Sequence, residues 1–174
     1  PILQTILERF IKAGFHKFYI STHFKAEKIH KYFGDGSEWD ITIKYINEET
    51  PLGTAGAIGL LPANLPNLPI LMMNGDILTM VNFERLLAFH EKQKGIATMC
   101  VREYEVQIPF GVVNIKKNQV KSMLEKPIQK FFVNAGVYVL DPDLVGEVES
   151  NKPIDMPHLF EQQIKKGKSI NVFP

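Results

Sequence analysis

Cysteine is nearly absent: Cys100 is the single one in 174 residues. That excludes a disulfide framework and makes a reducing compartment the simpler setting. Cys100 lies inside an apolar segment and reads as a small core residue. Paired cysteines of a zinc site are missing, and the five histidines show no metal-ligand spacing. No Ser–His–Asp constellation can be argued, and His90 reads as a helix-face residue. Neither charge sign dominates. The formal net charge is +1 and the basic residues form no long run, so nothing draws the chain toward nucleic acid or a membrane surface. No stretch approaches the ~20 apolar residues of a membrane span, and no basic-then-apolar leader opens the chain. A cytoplasmic protein is the expectation. Internal repeats, low-complexity tracts and linkers are lacking too, and a single domain over residues 1–174 follows.

What the chain does have is enough apolar residues, 45%, to fill a core. Ile2, Leu3, Ile6, Leu7, Phe10 and Ile11 repeat at helical spacing, with Gly14 as a stop. Residues 17–22 and 41–46 read as strands around a helix at 25–33. Residues 53–61 read as a helix closed by Pro62. Ile70-Leu71-Met72-Met73 is apolar on both faces, the pattern of a strand buried in the middle of a parallel sheet, and a helix at 82–93 follows it. Alternation of strand and helix implies βαβ units. The second half is richer in strands, at 96–102, 110–115, 120–125 and 131–140, with a hairpin turn at Lys116-Lys117-Asn118-Gln119. A helix at 155–166 and a strand at 169–173 end the chain. The expected class is α/β with a mixed sheet.

Several short runs are suited to chemistry. Asn74-Gly75-Asp76 ends the apolar strand, and ligands of open α/β sheets bind beyond the carboxyl ends of strands. A carboxylate there can hold Mg²⁺ or simply cap a turn. In Pro51-Leu52-Gly53-Thr54-Ala55-Gly56-Ala57 the small residues let a flat ligand or a phosphate approach the backbone, and a helix opening at Gly53 favours anions. It is not a P-loop, because the Gly-Lys-Ser/Thr ending is absent; a tight strand-to-helix turn accounts for it equally well. In Glu125-Lys126-Pro127, Lys126 offers a point charge for a phosphate and Glu125 an acceptor for sugar hydroxyls, or the two form a surface ion pair. Gly111 and Gly136 lie inside strand patterns, where glycine marks close approach of a ligand or backbone, or a bulge.

Taken in order, Glu48-Glu49-Thr50-Pro51-Leu52-Gly53-Thr54-Ala55, Asn74-Gly75-Asp76, Pro109-Phe110-Gly111-Val112-Val113, Glu125-Lys126-Pro127 and Val133-Asn134-Ala135-Gly136-Val137-Tyr138 resemble the NDP-sugar pyrophosphorylase family of nucleotidyltransferases. Within it the chain looks most like the mannose-1-phosphate guanylyltransferase branch, including bacterial members with regulatory CBS domains. The resemblance implies a Rossmann-like mixed sheet with helices on both faces, here incomplete. It implies an NTP, with GTP favoured, and a sugar 1-phosphate as partners, Mg²⁺ as cofactor, and synthesis of surface polysaccharide or glycan precursors. It places Glu48, Leu52, Gly53 and Thr54 on the nucleotide, Gly111, Glu125 and Asn134 on the sugar, Lys126 on the sugar phosphate, and Asp76 on the metal; Asp76 and Lys126 would be catalytic. The family's Gly-rich loop with its Arg and Lys is expected before Pro1, and a second metal-binding Asp after Pro174. The stretch alone is therefore expected to turn over little. Two alternatives stand: a non-catalytic regulatory or sugar-nucleotide-sensing relative, and a nucleotide-sugar-dependent glycosyltransferase. Homo-oligomerisation is left open.

Overall fold

The computed structural model describes all 174 residues. The first helix, α1 (Ile2–Lys12), buries Ile6, Leu7 and Phe10 on one face, as its apolar spacing requires. The chain then makes a right-sized βαβ unit: β1 (Lys17–Thr22), α2 (Ala26–Phe33) and β2 (Thr42–Asn47). β1 and β2 pair in parallel from Lys17↔Thr42 to Thr22↔Asn47. Leu7 of α1, Phe33 of α2 and Ile41 and Ile43 close the core of this layer.

The second layer is a four-stranded sheet in the order β3–β7–β4–β8, where β3 is Ile70–Met73, β4 is Ala97–Gln107, β7 is Ile128–Leu140 and β8 is Ile170–Phe173. β7 runs antiparallel to β3 and β4, and β8 parallel to β4. The end of β7 is buried on both sides because successive side chains alternate. Val137 and Val139 join Cys100 and Leu86, the latter from α4 (Phe83–Gln93). Tyr138 and Leu140 join Ala97 and a second group of helices, α3 (Gly53–Gly56), α5 (Pro142–Gly146) and α6 (Met156–Lys165), through Ala55, Leu144, Met156, Leu159 and Phe160. Each such large apolar side chain contributes roughly 1.5–3 kcal/mol on burial. Helices thus cover both faces of a mixed sheet, as expected.

Beyond a bulge between Met99 and Val101, β4 and β7 run on as a two-stranded ribbon to Gln107↔Ile128. It carries a separate hairpin of β5 (Val112–Lys116) and β6 (Gln119–Leu124). The hairpin turn falls where the sequence puts it. Lys117 and Asn118 both have positive φ, 48° and 60°, the conformation whose twist suits a two-residue hairpin loop.

Three expectations are corrected. β3 is not the middle of a parallel sheet or the most buried strand; it lies at a sheet edge, antiparallel to β7, and all four of its residues are half-buried. The reason is its open side. β1 is paired only with β2, and β3 only with β7, and a groove of about 350 Å³ runs between them, lined by Phe18 to Ser21 and by Ile70 to Met73. Residues 53–61 form one turn of α-helix followed by a 3-10 turn, Ala57–Leu60, because Gly56 and Gly59 in sequence favour no long helix. His90 is not a face residue. It is 3% exposed, with Nδ1 2.8 Å from Thr98 Oγ1 and Nε2 3.0 Å from Asp141 Oδ1. This hydroxyl–imidazole–carboxylate chain ties α4 to β4 and to the end of β7. Thr98 and His90 are buried, so the chain of bonds is a core network, with only its Asp141 end partly exposed. No helix is long and apolar enough to cross a membrane.

Candidate functional site

Glu48 follows directly on β2. Its Oε2 accepts from the Leu52 N–H at 2.9 Å, and its Oε1 accepts from the Ser21 hydroxyl at the end of β1. One carboxylate therefore joins both parallel strands to the loop after them. Leu52 is buried at 2% exposure, and its N–H and C=O are both bonded within the protein, to Glu48 and to the Ile154 N–H. Gly53 has φ +74°, a left-handed conformation that favours glycine. A Cβ there would lie 2.7 Å from Asp155 Oδ1 and 2.8 Å from the Ile154 carbonyl. The loop is stitched to that segment by Ala55 N–H to Ile154 O at 3.0 Å and Ile154 N–H to Leu52 O at 2.9 Å. The Thr54 N–H donates to Asp155 Oδ1 at 3.0 Å. The small residues of this loop serve close backbone packing here, and they leave Gly53 and Thr54 at the surface.

Thr54 also lines a cavity of about 920 Å³, together with Asn74, Asn134, Gly136, Tyr138 and Asp155. Asn74 hangs on β7: its N–H donates to Gly136 O at 3.0 Å. Gly136, at φ +68°, permits this approach, since a Cβ would meet the Ile77 and Asn74 side chains. The close approach foreseen at Gly136 is thus to neighbouring protein. Asn134 is locked at both ends of its amide, donating to Tyr138 Oη at 2.8 Å and accepting from the Gly136 N–H at 2.8 Å. Burial raises the Tyr138 phenol above its ordinary range, and the Asn134 hydrogen bond partly offsets this. Cys100 touches the same cavity, but burial pushes its thiol up to about 11, so it is an unreactive core residue.

Asp76 is exposed, and its neighbours Gly75 and Ile77 line the groove and the cavity respectively. It joins none of the ion pairs. No group of three or more His, Cys, Asp or Glu side chains gathers to hold a metal. A lone free carboxylate still fits Mg²⁺, which keeps several waters and is usually held by one or two carboxylates plus substrate phosphates.

Gly111, Glu125 and Lys126 form a third group at the root of the β5–β6 hairpin. A Cβ on Gly111 would lie 3.1 Å from Glu125 Oε2, so these two are brought together. They line neither cavity. Glu125 and Lys126 do not pair with each other or with any other charge. Lys126 has φ +45°, although it is not glycine and it precedes Pro127, where the extended region is preferred. Left-handed backbone at such a residue costs about 1–3 kcal/mol and collects at functional positions.

Asp155 was legible in the sequence only as a helix start, yet it reaches the loop at Thr54. Arg85 and Arg102 were not singled out at all; they are the two arginines on the wall of the larger cavity, and single exposed arginines in a helix and a strand carry no sequence signal.

A family model described as nucleotidyl transferase matches residues 1–168. The chain belongs to the nucleotidyl transferase family. Among its relatives, a mannose-1-phosphate guanylyltransferase of Mycobacterium tuberculosis is 29% identical over 161 residues, 90% of this chain and 44% of that protein. A mannose-1-phosphate guanylyltransferase catalytic subunit beta of Dictyostelium discoideum is 30% identical over 150 residues, 82% of this chain and 42% of that protein. The chain spans about half the length of the curated relatives it matches. Among solved structures, HddC from Yersinia pseudotuberculosis superimposes with a TM-score of 0.72 at 19% identity, over 99% of this chain and 76% of that one. Its complex with GMP-PN gives 0.70 at 20% identity, with the same coverage. These two show that the chain shares the HddC fold.

Proposed function

We propose that the chain is the nucleotidyl-transfer part of a sugar-1-phosphate nucleotidyltransferase. It would join an NTP, GTP by preference, to a sugar 1-phosphate, giving an NDP-sugar and pyrophosphate for surface polysaccharide or glycan precursor synthesis. The observation that carries this reading is the Pro51–Ala57 loop, pinned by Asp155 and Ile154, whose Thr54 lines a cavity together with Asn74 and Asn134. The names of the mannose-1-phosphate guanylyltransferase relatives and the GMP-PN complex of HddC support a guanine nucleotide.

The reaction needs no protein nucleophile, since the sugar phosphate is already an anion. Its oxygen attacks the α-phosphorus of the triphosphate and pyrophosphate leaves. The difficulty is to bring two anions together, and the residues are assigned accordingly. Gly53 and Thr54 would receive the nucleoside, with Leu52 buried beneath them as support. Glu48 would accept from the base with the lone pairs that Leu52 and Ser21 leave unused. Gly111, Glu125 and Asn134 would hold the sugar, and Lys126 would hold its phosphate as a fixed cation. Asp76 would hold Mg²⁺, which supplies Lewis-acid charge neutralisation when bound.

The test is pyrophosphate release by the full reading frame with Mg²⁺, GTP, UTP or dTTP and a panel of sugar 1-phosphates. Turnover that Asp76→Asn abolishes without loss of fold is expected. Transfer of sugar from a nucleotide sugar to an acceptor, or turnover unaffected by Asp76→Asn, would overturn the assignment.

A further inference from the structure

Asp155 stands at the N-cap of α6 but makes no side-chain hydrogen bond to its own helix. Its Oδ1 accepts from the Thr54 N–H at 3.0 Å and from the Thr54 hydroxyl at 3.3 Å. The first N–H of α6, that of Met156, is satisfied from the opposite direction, by donating to Thr54 Oγ1 at 2.8 Å. Two helix starts, 101 residues apart in sequence, therefore exchange caps. An N-cap Asp that bonds its own helix stabilises it by about 1 kcal/mol. Capping α6 would need no partner in a distant loop, so the needs of α6 alone do not account for the exchange. Its other beneficiary is the start of α3. The carboxylate orients both donors of Thr54, and the flanking bonds from Ala55 to Ile154 and from Ile154 to Leu52 fix the residues on either side. Gly53 is packed against the same carboxylate, and Thr54 and Asp155 share the wall of the 920 Å³ cavity.

We propose that Asp155 is the positioning residue of the nucleotide loop. By holding the Thr54 N–H and hydroxyl it sets the direction in which the Gly53–Thr54 backbone faces a nucleoside triphosphate, without touching the nucleotide itself. This rests on the nucleotide role proposed above for the Pro51–Ala57 loop.

The test uses the full chain and a non-hydrolysable GTP analogue in titration calorimetry without sugar phosphate. Amide hydrogen exchange at Thr54 and Ala55 is the second readout, with KM for each substrate wherever turnover is measurable. Asp155→Ser is the main variant, because serine caps α6 itself but is too short to reach Thr54. The triphosphate Kd is expected to rise about ten-fold or more, the scale of a lost charged hydrogen bond, and the two amides to exchange faster. KM for the sugar phosphate and Tm stay near wild type. Asp155→Asn, whose amide oxygen still accepts from the Thr54 N–H, recovers most of the affinity. Gln163→Ala is the stability control. It removes a buried α6 side chain bonded to Glu147, and it lowers Tm while leaving the triphosphate Kd unchanged. Wild-type affinity in Asp155→Ser, or a loss of affinity that Gln163→Ala reproduces in proportion to its Tm, would overturn the proposal. A wild-type chain that binds no triphosphate would instead remove the functional reading beneath it.

Discussion

Gly53→Ala separates what the fold requires of the signature loop from what a ligand requires. An L-residue at φ +74° pays roughly 1–2 kcal/mol for left-handed backbone. The new methyl would also sit 2.7 Å from Asp155 Oδ1 and 2.8 Å from the Ile154 carbonyl, well inside contact distance. One of these obstacles is backbone that Ala55 already bonds, so it cannot swing aside as a flexible side chain would. Overpacking of this kind costs typically another 1–3 kcal/mol. The combined loss is about 2–5 kcal/mol, which lowers Tm by roughly 5–20 °C in a chain of this size. Gly75→Ala is the contrast. A Cβ there meets nothing within 4 Å and its φ is ordinary, so its Tm should match wild type. Thermal unfolding followed by circular dichroism reads both. A Gly53→Ala protein as stable as wild type would refute the packing argument. A Gly75→Ala protein that folds normally but loses triphosphate-dependent activity would show that the space over Gly75 is used by a ligand.

Thr98→Val keeps shape but leaves His90 Nδ1 without its buried partner; a loss of about 1–3 kcal/mol should appear in thermal denaturation, and an unchanged Tm would mean the bond contributes nothing. Lys126→Ala should lower catalytic efficiency toward the sugar phosphate about 10- to 150-fold, the worth of one charged hydrogen bond, and a loss confined to triphosphate binding would reverse the assignment. Lys126→Gly should lose as much activity while gaining stability, by about 1 kcal/mol or more, because glycine relieves the left-handed strain; calorimetric unfolding would show the gain. Glu48→Gln can keep the loop closed, its oxygen accepting from Leu52 and its amide donating to Ser21, so any change should fall on the base. Initial rates at equal subsaturating triphosphate should show GTP preferred by wild type, with the GTP-to-UTP ratio falling in the variant, because a carboxylate accepts from the two adjacent donors of guanine and is repelled by the carbonyls of uracil.

Much of the fold was legible because it rests on periodicity. The spacing in α1, the alternation in β7 and the Lys117-Asn118 turn each specify their own geometry locally. β3 was misplaced for a physical reason. An apolar run says that both faces want to leave water, but it does not say how many neighbours the edges have. In this chain the edge facing β1 has none. His90 was missed because a polar residue in a helix reads as surface unless its partners are known, and Thr98 is supplied by β4 and Asp141 by the residue just after β7. On the candidate site, the motifs marked stretches that the structure places at a cavity, a groove and the root of a hairpin, but the packing duties inside them were hidden. The loop glycines and Gly136 serve protein packing first, and what remains for a ligand is the surface they leave.

The two halves of the proposed site are supported differently, and this bears on how two anions could be assembled in order. The nucleotide side is braced from every direction: Glu48 ties it to β1 and β2, Asp155 ties it to α6, and Leu52 and Ala55 are buried beneath it. The sugar-phosphate side is carried by a hairpin whose Ile115, Val120 and Met123 are all more than 60% exposed, and by a ribbon that leaves the sheet beyond the Met99–Val101 bulge. Segments with few buried apolar contacts open at lower free energy than the core that carries them. A rigid loop and a compliant hairpin therefore suit different tasks. On the proposed assignment, the nucleotide would meet the braced loop, and Lys126, left-handed at the root of the exposed hairpin, would have more freedom to adjust to the sugar phosphate.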